Sequence, residues 1–286
     1  MADTIPWSAL LQEAADLLGD HDARRIVEEI TGAEPGRLHR VLDDPVTERG
    51  VARFDAMVAR RRAGEPLQYV LGRWGFRSLD LMVDRRVLIP RPETEVVAGL
   101  AVEALNARAR TVERELLVAD LGTGTGAIGL SIAAECSTAR VIVTDASPDA
   151  LAVARANLTG IGRAATRVSL HEGSWFDALP AAAEGSLDLI VSNPPYVADH
   201  EDLPELVDHW EPRNALRAGP DGLDDLRHIV EHAPRWLGPT GTLVLEMAPH
   251  QTDVVAEMAR DVGLSPSIHP DLAGRARAVV AHNASE

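Results

Sequence analysis

The chain has 286 residues, enough for one large domain and a smaller one, and it carries 28 basic against 44 acidic residues for a formal net charge of −16. That acidity disfavours a protein whose affinity comes from neutralising phosphates, and every one of the 28 is arginine, which excludes lysine Schiff-base chemistry and a Walker-type phosphate loop. A single cysteine, Cys136, forbids an internal disulfide; with no run of about 20 apolar residues and no signal-like N-terminus, a soluble cytoplasmic protein is expected.

In chain order, residues 1–63 read as short amphipathic helices at 7–18, 21–31, 36–42 and 46–62. Through Arg77 there are 11 arginines against 13 acids, a net −2, so the remaining −14 belongs to the rest of the chain. Arg60-Arg61-Arg62 closes the last of these helices, where cations complement the carbonyl end of the macrodipole; contact with an acidic partner is the sharper alternative. The spacing of Trp74, Phe76, Leu79, Leu81 and Val83 predicts a hairpin across 71–89. Pro92, Glu93 and Glu95 read as a helix start with acids in its first turn, and together with Arg91 they are also a candidate lid over a pocket.

From Leu116 onward strand and helix alternate, as in a doubly wound α/β sheet. The apolar run 116–119 leads into Asp120-Leu121-Gly122-Thr123-Gly124-Thr125-Gly126, and 127–134 reads as a helix. Such a glycine turn lets a ligand approach the backbone where any Cβ would obstruct it. The second strand, 140–144, ends in Asp145, a carboxylate suited to the two hydroxyls of a ribose. One nucleoside ligand is implied. Gly124-Thr125-Gly126-Ala127-Ile128-Gly129 also matches the dinucleotide fingerprint, which alone leaves a nicotinamide dehydrogenase and an S-adenosylmethionine enzyme equally credible. Acidic Asp120 just before the glycines suits a ligand with an ammonium and a short amino-acid tail better than a pyrophosphate. A third strand, 168–170, precedes Gly173-Ser174-Trp175-Phe176, where Trp175 either covers an adenine or is an ordinary core aromatic. Cys136 reads as a small core residue. The 10 histidines show no metal-ligand spacing, and His200 and His209 are expected in solvent. Residues 275–282 are expected to complete the sheet as an edge strand.

The strand 187–191 runs into Asn193-Pro194-Pro195-Tyr196. Two prolines cannot continue a ladder, so a stiff loop must present Asn193 and Tyr196 at the strand's carboxyl end, where open α/β sheets bind ligands. The Asn193 side-chain oxygen and the Pro194 carbonyl can accept the two N–H groups of an amide or amine, while the Tyr196 ring offers a flat apolar surface. Hydride transfer does not require such a grip; methyl transfer to a delocalised nitrogen does. A methyl sulfonium is already electrophilic, so alignment is the main task, and positioning of that kind supplies up to roughly 7–11 kcal/mol. No general base is needed, because the nitrogen becomes strongly acidic once methylated.

These pieces together closely resemble the PrmC/HemK family of protein-(glutamine N5) methyltransferases, which modify the Gly-Gly-Gln glutamine of class I peptide chain release factors. The resemblance covers most of the chain. It is carried by Glu65-Pro66-Leu67-Gln68-Tyr69-Val70-Leu71-Gly72, by Ile89-Pro90-Arg91-Pro92-Glu93-Thr94-Glu95, by the glycine turn and by the Asn-Pro-Pro-Tyr loop. Glu211-Pro212-Arg213-Asn214-Ala215-Leu216, Asp221-Gly222-Leu223 and Asp271-Leu272-Ala273-Gly274-Arg275-Ala276-Arg277 extend it. It implies a Rossmann-like doubly wound domain at 91–286, a hairpin linker at 71–90 and a helical substrate-recognition domain at 1–70. It also implies that Gly122, Thr123, Gly124, Thr125, Gly126, Asp145, Trp175 and Asn193 contact S-adenosylmethionine, which leaves as S-adenosylhomocysteine. Asn193, Pro194, Pro195 and Tyr196 would hold the glutamine, with catalysis resting on Asn193, Pro194 and Tyr196. A monomer without metal, nucleic acid or membrane partner is expected. The chain departs from the family pattern at Glu246-Met247-Ala248-Pro249-His250-Gln251, where a glycine usually precedes the Gln. Methylation of a ribosomal-protein glutamine or of an adenine amine remains open, as do a dehydrogenase and a nucleoside-binding module without catalysis.

Overall fold

A computed structural model describes residues 5–34 and 36–283. Its contacts divide the chain into two units, Met1–Arg73 with Glu205–Trp210, and Trp74–Pro204 with Glu211–Glu286. The first unit is helical: α1 (Trp7–Leu18), α2 (Asp20–Thr31), α3 (Glu48–Arg62), the single-turn α4 (Leu67–Leu71) and, far along the sequence, the short segment Glu205–Trp210. Thr47 caps α3 by accepting from the Gly50 amide at 3.1 Å. Ile26, Val27, Phe54 and Tyr69 lie at the unit's core. The helix expected over 36–42 is a short 3-10 turn, Leu38–Arg40. Gly36 at φ 81° stands outside the helical region, and Pro45 closes the segment, so one turn is all that fits.

Arginines bind this unit internally. Arg60 donates to both Glu65 carboxylate oxygens and to the carbonyls of Tyr69 and Val70, and Arg61 donates to Asp22. Two of the three arginines at the end of α3 therefore have intramolecular work beyond the helix dipole.

In the second unit, β1 (Arg73–Phe76), whose first residue the division assigns to the helical unit, and β2 (Leu79–Met82) form the expected hairpin. Then come α5 (Pro92–Ala109), β3 (Leu116–Leu121), α6 (Ala127–Glu135), β4 (Ala139–Asp145), α7 (Pro148–Leu158), β5 (Val168–Glu172) and β6 (Leu187–Ser192). Counting Glu205–Trp210 as α8, the chain continues with α9 (Asp224–Trp236), β7 (Leu237–Glu246), α10 (Thr252–Asp261), β8 (Leu264–Pro270) and β9 (Ala276–Asn283).

The seven-stranded sheet has the order β5-β4-β3-β6-β7-β9-β8, parallel except for β9, which is antiparallel to both neighbours. Alternate residues of β3 and β6 serve opposite faces, as period two demands: Val118, Leu189 and Val191 pack with α5 and α6, whereas Ala119, Leu121 and Ile190 pack with α9 and α10. One expectation fails here. The edge strand expected at 275–282 is β9 (Ala276–Asn283), which is internal, and the edge is β8. It contains Pro266 and Pro270, which an edge strand can carry because its outer side needs no ladder donors.

Strand order reverses between β3 and β6, since the chain builds β4 and β5 on one side and β7 on the other. A crevice at the carboxyl ends of β3 and β6 follows from that reversal. Both sequence motifs of interest sit there.

Candidate active site

A cavity of about 280 Å³ opens at this crevice, and its walls come from seven separated segments of the second unit. The floor is the turn after β3, where Gly122, Gly124 and Gly126 adopt φ of 68°, 55° and 85°. Gly122 needs its missing Cβ for space as well, because one would stand 3.1 Å from the Trp175 ring. Asp120, 1% exposed, closes the turn from beneath: Oδ2 accepts from the Thr123 hydroxyl at 2.6 Å and the Gly129 amide at 2.9 Å. Its Oδ1 has no hydrogen-bond partner among the described residues, although the residue lines the cavity. Burial pushes its carboxyl up to about 6 against the pull of those two donors.

Asp145, the last residue of β4, accepts from the Gly124 amide through Oδ2 and from the Ser147 amide through Oδ1, each at 2.9 Å. It therefore sets the shape of the glycine turn while facing the cavity, and burial raises its pKa above the usual carboxylate range. Trp175 sits at φ 45°, a left-handed conformation that costs an ordinary residue on the order of 1–3 kcal/mol. What holds it is packing on Gly122 and a hydrogen bond from its indole to Asp225, at the start of α9. The charged residues on the walls are Asp120, Asp145, Asp225 and Arg86, and Arg86 is itself paired with Asp84. The cavity is thus built for a ligand carrying positive charge.

Opposite the glycine turn, Asn193 and Pro195 line the cavity beyond β6. Asn193 Nδ2 donates to Thr94 Oγ1 at 3.2 Å, which leaves the amide oxygen for a ligand. Thr94 in turn contacts the buried carboxyl of Glu246 at the end of β7, and the Tyr196 hydroxyl donates to the same carboxyl at 3.4 Å. Gln251 fixes the loop from behind, donating to the carbonyls of Tyr196 (3.0 Å) and Gly222 (3.1 Å) while accepting from the Ala248 amide. Gly222 must be glycine, because a Cβ there would lie 2.4 Å from the Tyr196 carbonyl oxygen. Although His250 replaces the family's glycine, the turn forms as the 3-10 helix Pro249–Gln251, with His250 exposed. Arg91 pairs with buried Glu211, Glu93 with Arg275, and Glu95 accepts from the Arg77 amide. Those three side chains form a frame around the cavity's Pro90 and Thr94.

Residues 6–72 match the model for the PrmC N-terminal domain, and residues 98–210 match that for the methyltransferase small domain. A release factor glutamine methyltransferase of Cereibacter sphaeroides is 42% identical over 91% of this chain and 90% of its own, and one from Streptomyces coelicolor is 40% identical over 92% and 90%. The chain belongs to that family. A methyltransferase from Pyrococcus furiosus, 18% identical, superposes with a TM-score of 0.52 over 84% of this chain and all of the other, a likeness of fold.

Membership gives the cavity its chemical setting, a methyltransferase domain. Of the residues singled out in the sequence, Gly122, Thr123, Gly124, Thr125, Asp145, Trp175, Asn193 and Pro195 converge on its walls. Gly126, Pro194 and Tyr196 do not line it. Gly126 ends the turn as the N-terminal cap of α6, and a Cβ on it would strike Leu130 at 2.8 Å. Four residues that shape the site have no local signature of that role in the sequence. Thr94 was hidden between two conspicuous acids, Asp225 lies in an ordinary amphipathic helix, and Glu246 merely ends an apolar run. The fourth, Asn157, holds the hairpin to the glycine turn by donating to the carbonyls of Met82 and Thr125.

Proposed function

We propose that this protein transfers a methyl group from S-adenosylmethionine to the side-chain amide nitrogen of the Gly-Gly-Gln glutamine in class I peptide chain release factors. The observation that carries this reading is Asn193 on the cavity wall, its NH2 group tied to Thr94 and its amide oxygen free to accept from a substrate N–H.

The residues present fit the methyl donor. Asp120 Oδ1, buried and without a partner among the described residues, suits an ammonium group; Asp145 suits ribose hydroxyls; Trp175, braced on Gly122, suits an adenine face. A pyrophosphate fits poorly, because Asp120, Asp145 and Asp225 line the cavity against one arginine, Arg86, that is already paired with Asp84. This speaks against a nicotinamide cofactor despite the literal fingerprint. When bound, S-adenosylmethionine supplies an electrophilic methyl group on a sulfonium.

The chain's own residues then do the positioning. Asn193 Oδ1 and the Pro194 carbonyl accept the two substrate N–H groups, which favours a more electron-rich nitrogen with its lone pair directed at the methyl carbon. In the transfer an N–CH3 bond would replace the S–CH3 bond, and the surplus proton would pass from the then strongly acidic nitrogen to water. Acidic walls favour the sulfonium and the transient cationic nitrogen alike. One glutamine side chain is too small to distinguish one protein from the rest, so we assign recognition of the folded release factor to the helical unit. Its near neutrality and the chain's net charge of −16 argue against a nucleic-acid substrate. Among the described residues no helix is long and apolar enough to cross a membrane, and we place the enzyme in the cytoplasm with its substrate.

Incubation with a release factor and S-adenosylmethionine should add one methyl group to the peptide that contains Gly-Gly-Gln, read by mass spectrometry. An unmodified peptide would remove the assignment. A second expected result concerns Asp145. Asp145→Ala should weaken donor binding by roughly 1.5–3 kcal/mol, the worth of hydrogen bonds to a charged group. Losing the Gly124 contact places the expected loss toward the top of that range. Calorimetry on the folded variant checks it, and unchanged affinity would exclude Asp145 as a ligand.

A further inference from the structure

Glu246 is 1% exposed at the carboxyl end of β7, behind the Asn-Pro-Pro-Tyr loop and outside the cavity. Thr94 on α5 and the Tyr196 hydroxyl both bond to its carboxyl, while Oε2 has no partner among the described residues. The charged groups that face it are Arg277 on β9, which favours ionisation, and Glu93 on α5, which opposes it; Arg91 bears on its neighbour Tyr196. Burial outweighs the favourable contacts and pushes the carboxyl up to about 7. Both protonation states are therefore within reach of ordinary pH.

Hydrogen-bond chemistry makes the chain Glu246, Thr94, Asn193 directional. An ionised carboxylate only accepts, so Thr94 must spend its single hydroxyl hydrogen on Glu246, and its oxygen is left to accept. The matching donor is Asn193 Nδ2 at 3.2 Å, which presents Asn193 Oδ1 as the free acceptor on a residue of the cavity wall. A protonated Glu246 allows the reverse order: the carboxyl donates to Thr94, Thr94 donates to Asn193 Oδ1, and the NH2 group faces the ligand. An incoming amide N–H would then meet another donor.

We propose that Glu246 is a positioning residue that sets the polarity of the Asn193 amide through Thr94, so that its carboxylate form admits an N–H donor and its acid form does not. The inference rests on the glutamine-amide substrate proposed above. Tyr196 belongs to the same device, since its donation to Glu246 favours the carboxylate and holds the loop against β7.

Single-turnover methylation of a release factor, at saturating S-adenosylmethionine, should fall about tenfold per pH unit on the acid side of the Glu246 midpoint. Glu246→Gln brings a donor of its own to Thr94, and its rate should drop by roughly 10²-fold, as for loss of a transition-state hydrogen bond, with the acidic limb abolished. Donor affinity should stay unchanged, which separates positioning from collapse of the pocket. Thr94→Ser, which keeps the hydroxyl, should retain the limb, and Thr94→Val should lose it although Glu246 remains. A Glu246→Gln protein with the wild-type rate and limb overturns the proposal; if that variant does not fold, a limb shared by both Thr94 variants does so.

A substrate-free measurement needs no variant. The Asn193 side-chain NH2 resonances of 15N-labelled wild-type protein should move with the titration of Glu246, and their invariance overturns the proposal. If they titrate while release factor stays unmethylated, the substrate reading fails and the switch stands. Methylation with neither the resonance shift nor the limb sinks the switch and leaves the substrate reading intact.

Discussion

Asn193→Ala is expected to slow methyl transfer by about 10²–10³, or roughly 2.7–4 kcal/mol, the usual cost of deleting one hydrogen bond made to the transition state. The substrate nitrogen would be held by the Pro194 carbonyl alone. Donor affinity should change little, because the acidic walls and the Trp175 ring remain. Asn193→Asp tests the same idea from the other side. It keeps an acceptor oxygen but loses the NH2 group that Thr94 now accepts from. Thr94 has one hydrogen and would face two carboxyl groups, so either Glu246 or the new side chain goes without it. Both variants are therefore expected to fail, the Asp variant through a misdirected side chain rather than a missing one. Single-turnover rates at saturating donor decide the matter. An Ala variant within a few-fold of wild type would mean that the catalytic loop lies elsewhere.

Much of this site is legible in the sequence because its motifs follow directly on strands. Apolar runs 116–119, 140–144 and 187–191 become β3, β4 and β6, and parallel topology brings their carboxyl ends together. Asp120, Asp145 and Asn193 follow from that placement, each standing at or beyond the end of such a run. The hairpin is legible for a similar reason, since its large apolar residues recur at strand spacing. β8 is not, because Leu-Ser-Pro-Ser-Ile-His-Pro has neither alternation nor an apolar run, and only its edge position makes the prolines tolerable.

The support behind the site is hidden for a different reason. Thr94, Glu246 and Gln251 act on the Asn-Pro-Pro-Tyr loop from three separate places in the chain, and no local pattern announces a contact between them. Gly222 shows the same thing in reverse. Its neighbours suggest a turn, but its necessity comes from the Tyr196 carbonyl oxygen, to which the sequence gives no pointer. Motif reading finds the residues that face a ligand more readily than the residues that aim them.

The Arg91 and Glu211 pair is where the frame of the cavity should be most sensitive. Glu211 has a side chain with 0% exposure, and it accepts from Arg91 and from the Ile89 amide. Arg91→Met would leave that carboxylate buried with one backbone donor, a loss expected to cost about 3–5 kcal/mol. In a domain of this size that corresponds to a fall in thermal midpoint of roughly 6–20 °C, at about 2–4 °C per kcal/mol. Pro90 and Pro212, the neighbours of the pair, both line the cavity, so donor binding should weaken with it. Adding Glu211→Gln removes the stranded charge and should recover more than half of the lost stability, although neither original side chain is restored. That recovery distinguishes an uncompensated charge from simple loss of packing at Arg91. If thermal denaturation shows Arg91→Met within about 1 kcal/mol of wild type, as for an exposed ion pair, the pair does not hold the cavity's frame.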